Sequence, residues 1–200
     1  MISMTGLVIP REGKAAKSRA RIISAAAGLF AERGFEGTSI RDIAGAVSMT
    51  TAALYYHFDS KEAIYVAVHG YCMEAVTRAV ESSIAGVEDP WDRLELAAGA
   101  HCKALLDSRG HSAILSNLSA LRVAPVREAM IAQRDAYDQR LQELIDALPL
   151  PRWVDRRLLR LQLIGSWNFM PNWYREDGPR SAQAIGRNSV RLLRQGLERR

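Results

Sequence analysis

Residues 38–61 read TSIRDIAGAVSMTTAALYYHFDSK, and their hydrophobic rhythm decides the fold. Ile40, Ile43, Ala44 and Val47 recur at helical spacing and predict a short helix. Ser39, with Asp42 three residues on, supplies a capping box at its start, and Thr38 is an alternative cap. The pattern breaks at Val47-Ser48-Met49. It restarts behind Thr50, a good N-cap, and runs through Ala53 and Leu54 to Phe58, ending near Asp59-Ser60. On the N-terminal side, Ile22, Ile23, Ala26, Leu29 and Phe30 step by three and four until Gly34, which suits a helix C-cap. Three short helices, the second and third joined by a tight turn, are the ingredients of a helix-turn-helix. Any small helical bundle carries the same periodicity, so spacing alone leaves both readings open.

Further outward the helical rhythm continues. Ser60 followed by Lys61-Glu62 opens a longer helix to about Ala85, with Ala63, Ile64, Ala67, Val68, Tyr71, Ala75 and Ala79 as its expected core face. Gly86 and Asp89-Pro90 end it. Further helices are expected at about 91–107, 111–122, 125–147, 152–172 and 179–198. Pro125, Pro149, Pro151, Pro171 and Pro179 fall at or near these boundaries. Alternating strand patterns are missing, and Met1–Glu12 has no period and reads as a loose arm. The expectation is an all-α chain of about nine helices with no internal repeat.

With 48% hydrophobic and 24% charged residues among 200, the chain can bury a core and is not a disordered tail. Its formal charge of +5 suits a polyanionic partner, although ordinary soluble enzymes carry the same excess. Cys72 and Cys102 form no metal or redox spacing and read as free buried thiols. No apolar run approaches the ~20 residues that span a bilayer. Residues 1–9 lack the basic start of a secretory signal. The expectation is a cytoplasmic protein that makes no membrane contact.

The local sequence is more specific than its period. Phe30 to Ala44 (FAERGFEGTSIRDIA) and Leu54 to Glu62 (LYYHFDSKE) resemble the TetR family of transcriptional repressors nearly residue for residue. The resemblance covers about 15–70. It implies a helix-turn-helix DNA-binding domain at 14–62 and a helical ligand-binding and dimerisation domain at 63–200. One departure is Ser48, which stands in the turn where the family usually has glycine, so serine must adopt that backbone at some cost.

A recognition helix enters the major groove by its N-terminal end, where Thr50, Thr51 and Ala52 lie. Threonine can hydrogen-bond a base edge or a phosphate. Ala52 or a threonine methyl can touch a thymine methyl. Tyr55, Tyr56 and His57 follow one turn later, where phenol and imidazole groups can reach the DNA backbone. The resemblance further implies that Tyr56, His57 and Lys61 clamp phosphates while Ser39 and Arg41 approach from the second helix. Plainer roles compete: Tyr55 and Phe58 as core residues, Thr50 as a cap, and His57 as a solvated surface group. Lys14, Lys17, Arg19 and Arg21 read either as a basic arm that touches DNA or as a solvated first turn.

The resemblance implies a sensor and dimer region from about residue 70, matching a palindromic double-stranded operator with a two-fold homodimer. Leu158, Leu159, Leu161, Leu163 and Ile164 form one candidate dimer face, and Ile185, Val190, Leu193 and Leu197 another. An internal core explains the same residues. Residues 165–178 (GSWNFMPNWYREDG), with Arg127, Arg134 and Tyr137 before them, resemble the branch of the family that responds to acyl-CoA thioesters. Such a small-molecule effector needs an apolar tunnel, for which Leu105, Leu118, Leu121, Met130, Trp167, Phe169 and Met170 are candidates. Its phosphates need basic residues at the mouth, for which Arg122, Arg127, Arg134 and Arg175 are candidates. An aromatic or other hydrophobic effector is the alternative. A helical enzyme using His69, His101 and His111 is the remote one, since no nucleophile elbow, phosphate loop or zinc spacing occurs. No cofactor or metal is expected.

Overall fold

Helices begin and end where the chain supplies caps. The computed structural model describes residues 13–107, 114–115 and 124–198. Along them run α1 (Lys14–Arg33), α2 (Ile40–Ala46), α3 (Thr51–Tyr55), α4 (Lys61–Ile84) and α5 (Pro90–Asp107). After these come α6 (Ala124–Asp146), α7 (Arg156–Asn168), a 3-10 turn (Met170–Asn172) and α8 (Ala182–Glu198). No strand occurs among the described residues, as the all-α reading expects. Of the helix expected at 111–122, only residues 114–115 are described, and these are helical.

Gly34 ends α1 at a positive φ of 71°, with its N–H donating to the Phe30 carbonyl. Ser39 caps α2 through a reciprocal box with Asp42, and Thr50 and Ser60 cap α3 and α4 through their hydroxyls. Thr38 takes no part in capping. It is buried, and its hydroxyl proton is shared between the carbonyls of Gly34 (2.9 Å) and Leu29 (3.2 Å). Some expected boundaries move: α3 ends at Tyr55 rather than near Asp59-Ser60, α7 runs from Arg156 to Asn168 rather than about 152–172, and α8 starts at Ala182 rather than about 179. Asp155 sets the start of α7, because its side chain accepts from the Leu158 N–H, and the Ser181 hydroxyl accepts from Ala184 N–H at the start of α8.

Two apolar clusters share α4. The first gathers Ile22, Phe30, Phe35, Ile43, Leu54 and Phe58 around Ile64, Tyr65, Val68 and Cys72 of α4. Phe30, Phe35 and Tyr65 form its aromatic centre, with ring centroids 4.9–6.0 Å apart. The second packs Val76 and Val80 of α4 against α5, α6, α7 and α8. The buried face of α4 is thus Ile64, Tyr65, Val68, His69, Cys72, Val76 and Val80. This corrects the expected face by about one residue. Tyr71 is 46% exposed and Ala63, Ala67, Ala75 and Ala79 are only partly covered. His69, absent from the expected face, lies inside.

The predicted dimer faces also divide. Leu159 and Leu163 are buried in the second cluster while Leu158 and Leu161 are exposed. Adjacent helical positions point about 100° apart, so a narrow contact covers Leu159 and leaves Leu158 in solvent. On α8, Val190 is buried and Ile185, Leu193 and Leu197 pack against the same cluster, leaving Leu192 outside.

Helices α5 and α8 approach through glycine. A Cβ placed on Gly186 would lie 2.4 Å from the Ala98 carbonyl oxygen and 2.9 Å from Cys102 Sγ. Gly99 returns the arrangement, meeting Arg187 Cγ at 2.9 Å and the Gln183 carbonyl oxygen at 3.1 Å. Arg191–Glu95 (2.6 Å) flanks the seam. Because the obstructing atom is backbone, Gly186→Ala must push the two helices apart. We expect it to cost about 1–3 kcal/mol, read as a lower urea midpoint. An unchanged midpoint would show that the seam is loose.

Candidate nucleic-acid interface and sensor cleft

The turn between α2 and α3 is closed by backbone bonds in the Schellman pattern. Ser48 N–H donates to the Gly45 carbonyl at 3.1 Å and Met49 N–H to that of Ala44 at 2.9 Å. This places Ser48 at φ 54°, the one positive-φ residue other than glycine among those described. The serine therefore occupies the left-handed position that glycine fills without cost, as the departure from the family pattern implied.

Beyond the turn, α3 presents one face outward. Leu54 and Phe58 are buried, whereas Thr51, Ala52 and Ala53 are exposed at the N-terminal end, with Tyr55 (51%) and Tyr56 (84%) a turn later. Tyr55 is therefore not a core residue. Tyr56 and His57 make an edge-on pair at 5.3 Å, and His57 is half-buried. Thr50 is exposed, but its hydroxyl already accepts from Ala53 N–H at 3.1 Å. Ser39 is similarly engaged: its hydroxyl donates to Asp42 Oδ2 at 2.5 Å, and that bond is the main reason the Asp42 carboxyl sits below its ordinary range. Arg41 is exposed beside it. Lys61 Nζ donates to the Phe35 carbonyl at 2.9 Å and lies 4.2 Å above the Phe35 ring, bracing the N-terminus of α4 against the end of α1. Arg19 and Arg21 do not project as a free arm: Arg19 donates to the His57 carbonyl and Arg21 to that of Val47.

This face can read a groove. Its protruding atoms are small hydroxyls and methyls at a helix N-terminus, with phenols behind them at the height of a backbone.

A cleft of about 440 Å³ opens between α4, α5 and α6, within the range of small-molecule sites. Val80, Ile84, Ala97, Leu141, Leu144 and Trp167 give it apolar walls. Of the described residues predicted to line an effector site, only Trp167 lines this cleft. Leu105 and Met170 are buried away from it, Phe169 is 62% exposed, and Met130 packs in the first cluster. Arg127, Arg134 and Arg175 are exposed elsewhere, and Leu118, Leu121 and Arg122 lie outside the described residues. The charged lining is instead Arg93, Arg140, Glu81, Glu88 and Glu143. Arg140 pairs with Glu81, and Arg93 donates to the Val87 carbonyl at 3.0 Å.

The cleft is backed by a polar network that sequence reading missed. His101 Nδ1 lies 2.7 Å from the Tyr137 hydroxyl and Nε2 lies 3.1 Å from Asn168 Oδ1. Since Asn168 Oδ1 only accepts, Nε2 carries the proton and Nδ1 accepts from Tyr137. Trp167 packs on the imidazole at 5.5 Å and donates from Nε1 to Ser189 Oγ at 3.0 Å, tying the cleft wall to α8. Burial holds His101 at about 4, with the Asn168 bond opposing the shift only in part. Burial likewise raises the Tyr137 phenol and pushes both thiols, Cys72 and Cys102, up to about 12, so neither is a reactive thiolate. His69 sits apart from His101, its Nδ1 2.6 Å from Gln133 Oε1, and burial lowers its pKa. His111 is outside the described residues. No sequence signal joins His101 to residues 36 and 67 positions away.

Known proteins agree with this geometry. The model of bacterial regulatory proteins of the tetR family matches residues 22–68, and that of the tetracyclin repressor-like C-terminal domain matches residues 87–197. A stretch of 45 residues is 53% identical to IcaR of Staphylococcus aureus, the negative regulator of a biofilm operon; it covers 22% of this chain and 24% of that protein. The chain thus spans about a quarter of that regulator's length. The crystal structure of PfmR from Thermus thermophilus matches at TM-score 0.73 and 30% identity, over 88% of this chain and 98% of that one. AibR, solved with isovaleryl coenzyme A and operator DNA, matches at TM-score 0.74 and 26% identity, over 87% and 96%. The chain belongs to the TetR family of transcriptional regulators, which are not enzymes. Among the described residues, no helix is long and apolar enough to cross a membrane.

Two outcomes follow from the local chemistry. Ser48→Gly relieves the left-handed serine and should stabilise the fold by roughly 0.5–1 kcal/mol, a gain measurable by urea denaturation. For pH, the native state binds fewer protons than the unfolded chain between about 4 and 6.5 at His101. Stability is therefore full above pH 6.5 and falls as pH drops toward 4, by at most about 1.4 kcal/mol per pH unit. His101→Gln should flatten that slope to the remainder set by His69. Identical slopes in variant and wild type would sink the assignment.

Proposed function

We propose that the chain is a repressor that binds a palindromic double-stranded operator as a homodimer and is released by a small-molecule effector, an acyl-CoA thioester. In this reading, residues 14–62 read DNA and residues 63–200 sense the effector and pair the protomers. The observation that carries it is the exposed N-terminal end of α3 mounted on a buried base of Leu54 and Phe58. Thr51, Ala52 and the threonine cap Thr50 meet base edges. Tyr55, Tyr56, His57 and the exposed Arg41 face phosphates, with Ser39 and Lys61 at the margins through whatever bonding their present partners leave free.

Pairing needs an apolar face outside the two clusters. Leu158, Leu161 and Phe169 from α7 and its end, with Leu192 of α8, are exposed and supply one, so these two helices make the two-fold contact.

Effector action runs through α4. Thr77, Val80, Glu81 and Ile84 line the cleft, and the same unbroken helix carries Ile64 and Tyr65 into the first cluster about 25 Å away at 1.5 Å per residue. A ligand that fits the cleft better when α4 is displaced shifts the population toward a head spacing that mismatches half-sites one turn apart.

AibR's complex with isovaleryl coenzyme A supports the thioester class, and a volume of about 440 Å³ suits a short acyl group rather than the whole cofactor. A second reading is favoured by the cleft's charge. Glu81, Glu88 and Glu143 outnumber Arg93 and Arg140, and both arginines already have partners, an arrangement that suits an uncharged aromatic or other hydrophobic effector. Mobility shifts on DNA flanking the chain's own gene should give a salt-sensitive, sequence-selective complex. Acyl-CoAs should dissolve that complex and raise the melting temperature. Stabilisation by uncharged aromatics alone would select the second reading, and no selective shift would remove both.

A further inference from the structure

We infer that Arg19 and Arg21 are positioning residues for DNA reading, each holding the C-terminal end of one reading-head helix rather than contacting phosphate. The inference rests on the reading of α2 and α3 as the DNA-binding element.

Arg21 Nη2 donates to the carbonyl of Val47, the C-cap of α2, at 3.1 Å. Arg19 Nη1 donates to the carbonyl of His57, just past the α3 C-cap Tyr56, at 2.8 Å, and its guanidinium carbon lies 3.9 Å from the Phe58 ring centroid. These helices have seven and five residues, too few to hold a direction alone, so their orientation depends on outside contacts. The last carbonyls carry the negative end of the helix dipole, which a cation satisfies better than a neutral donor. Arginine suits the task because its fork can donate to a carbonyl while its plane lies on an aromatic ring.

The placement triangulates the head. Two residues apart on α1, the arginines leave it on different sides. One reaches the end of α2, beside the strained Ser48, and the other the end of α3. The angle between α2 and α3 is therefore referred to one rigid helix of 20 residues. A basic run on α1 reads as a phosphate-seeking arm, yet both guanidinium groups, on residues that stay exposed, already donate to backbone carbonyls.

The test compares the full-length wild type with Arg19→Met and Arg21→Met. The probes are a duplex that the wild type selects from a random-sequence pool and an unrelated duplex of equal length, titrated over a range of salt. Positioning predicts that affinity for the selected duplex falls at least about tenfold, as for loss of a charge-assisted hydrogen bond. Affinity for the unrelated duplex and the slope of log affinity against log salt stay at wild-type values. A slope reduced by about 0.9 per lost contact would identify phosphate clamps and overturn the inference. So would unchanged affinity for the selected duplex.

Arg19→Lys and Arg21→Lys cover the case in which the methionine variants do not fold. A phosphate contact survives exchange to another cation, whereas the planar guanidinium that lies on Phe58 at position 19, and the Nη2 donor that reaches the Val47 carbonyl at position 21, do not. Selective affinity must therefore still fall in the lysine variants, and its retention would overturn the inference. If the wild type enriches no sequence, the DNA-binding reading fails and the positioning role with it. If the wild type binds and the variants lose slope, only the positioning role fails.

Discussion

Helix α4 belongs to two hydrophobic cores at once, and most of the molecule is arranged around that sharing. Ile64, Val68, Cys72, Val76 and Val80 follow one another at four-residue steps, and the line passes from the first cluster into the second without a break in the helix. Four-residue steps drift about 40° per turn, so the buried line winds around the helix and meets neighbours on different sides at its two ends. The first end packs on α1 and the second on α5, with α6 alongside both: Met130 joins the first cluster and Tyr137 the second. Neither cluster can shift α4 without disturbing the packing of the other, because close-packed interiors transmit displacement rather than absorb it. Tyr65 reinforces the junction from the first side, edge-on to both Phe30 and Phe35.

What the chain discloses before folding is unequal along its length. The N-terminal third is written in local chemistry: Ser39 with Asp42, Thr50, Ser60 and Gly34 mark boundaries through bonds that span only three or four residues. Such signals survive in sequence because both partners sit in one short window. The face of α4 is harder to read because alanine and tyrosine fit either side of a helix, while His69 is buried through a partner 64 residues away. The dimer faces are obscured for a related reason. Arginine-flanked leucines such as Leu158 and Leu159 carry the same hydropathy, and only tertiary packing tells which one is covered.

The cleft lay furthest from view. Its lining comes from α4, α5, α6 and α7, and the aromatic residues that attract attention in the 165–178 stretch mostly face elsewhere. Trp167 is the exception, held in place by Ser189 on one edge and His101 on its face. Behind the apolar walls, the Tyr137–His101–Asn168 chain gives both imidazole nitrogens a partner, which keeps the floor rigid and the imidazole neutral. The wall on the α5–α7 side is locked to α8 through the glycine seam and the Trp167–Ser189 bond.

The strained turn fits the same logic. A serine in the left-handed region is tolerated only where its surroundings over-determine it. Here the Schellman bonds fix Ser48 from both sides, Arg21 holds the carbonyl immediately before it, and Met49 packs onto the first cluster immediately after. Glycine at that position would form the same bonds with more freedom in the unfolded chain and less strain in the folded one. Serine adds no contact that compensates, so the cost is carried by the braces around it. Those braces share a feature: Lys61, Arg19 and Arg21 each place a cation on a backbone carbonyl at the end of a helix or the turn after it. The ends of α2 and α3, both short, are tied to α1 through Arg21 and Arg19, while Lys61 ties the start of α4 to the turn after α1.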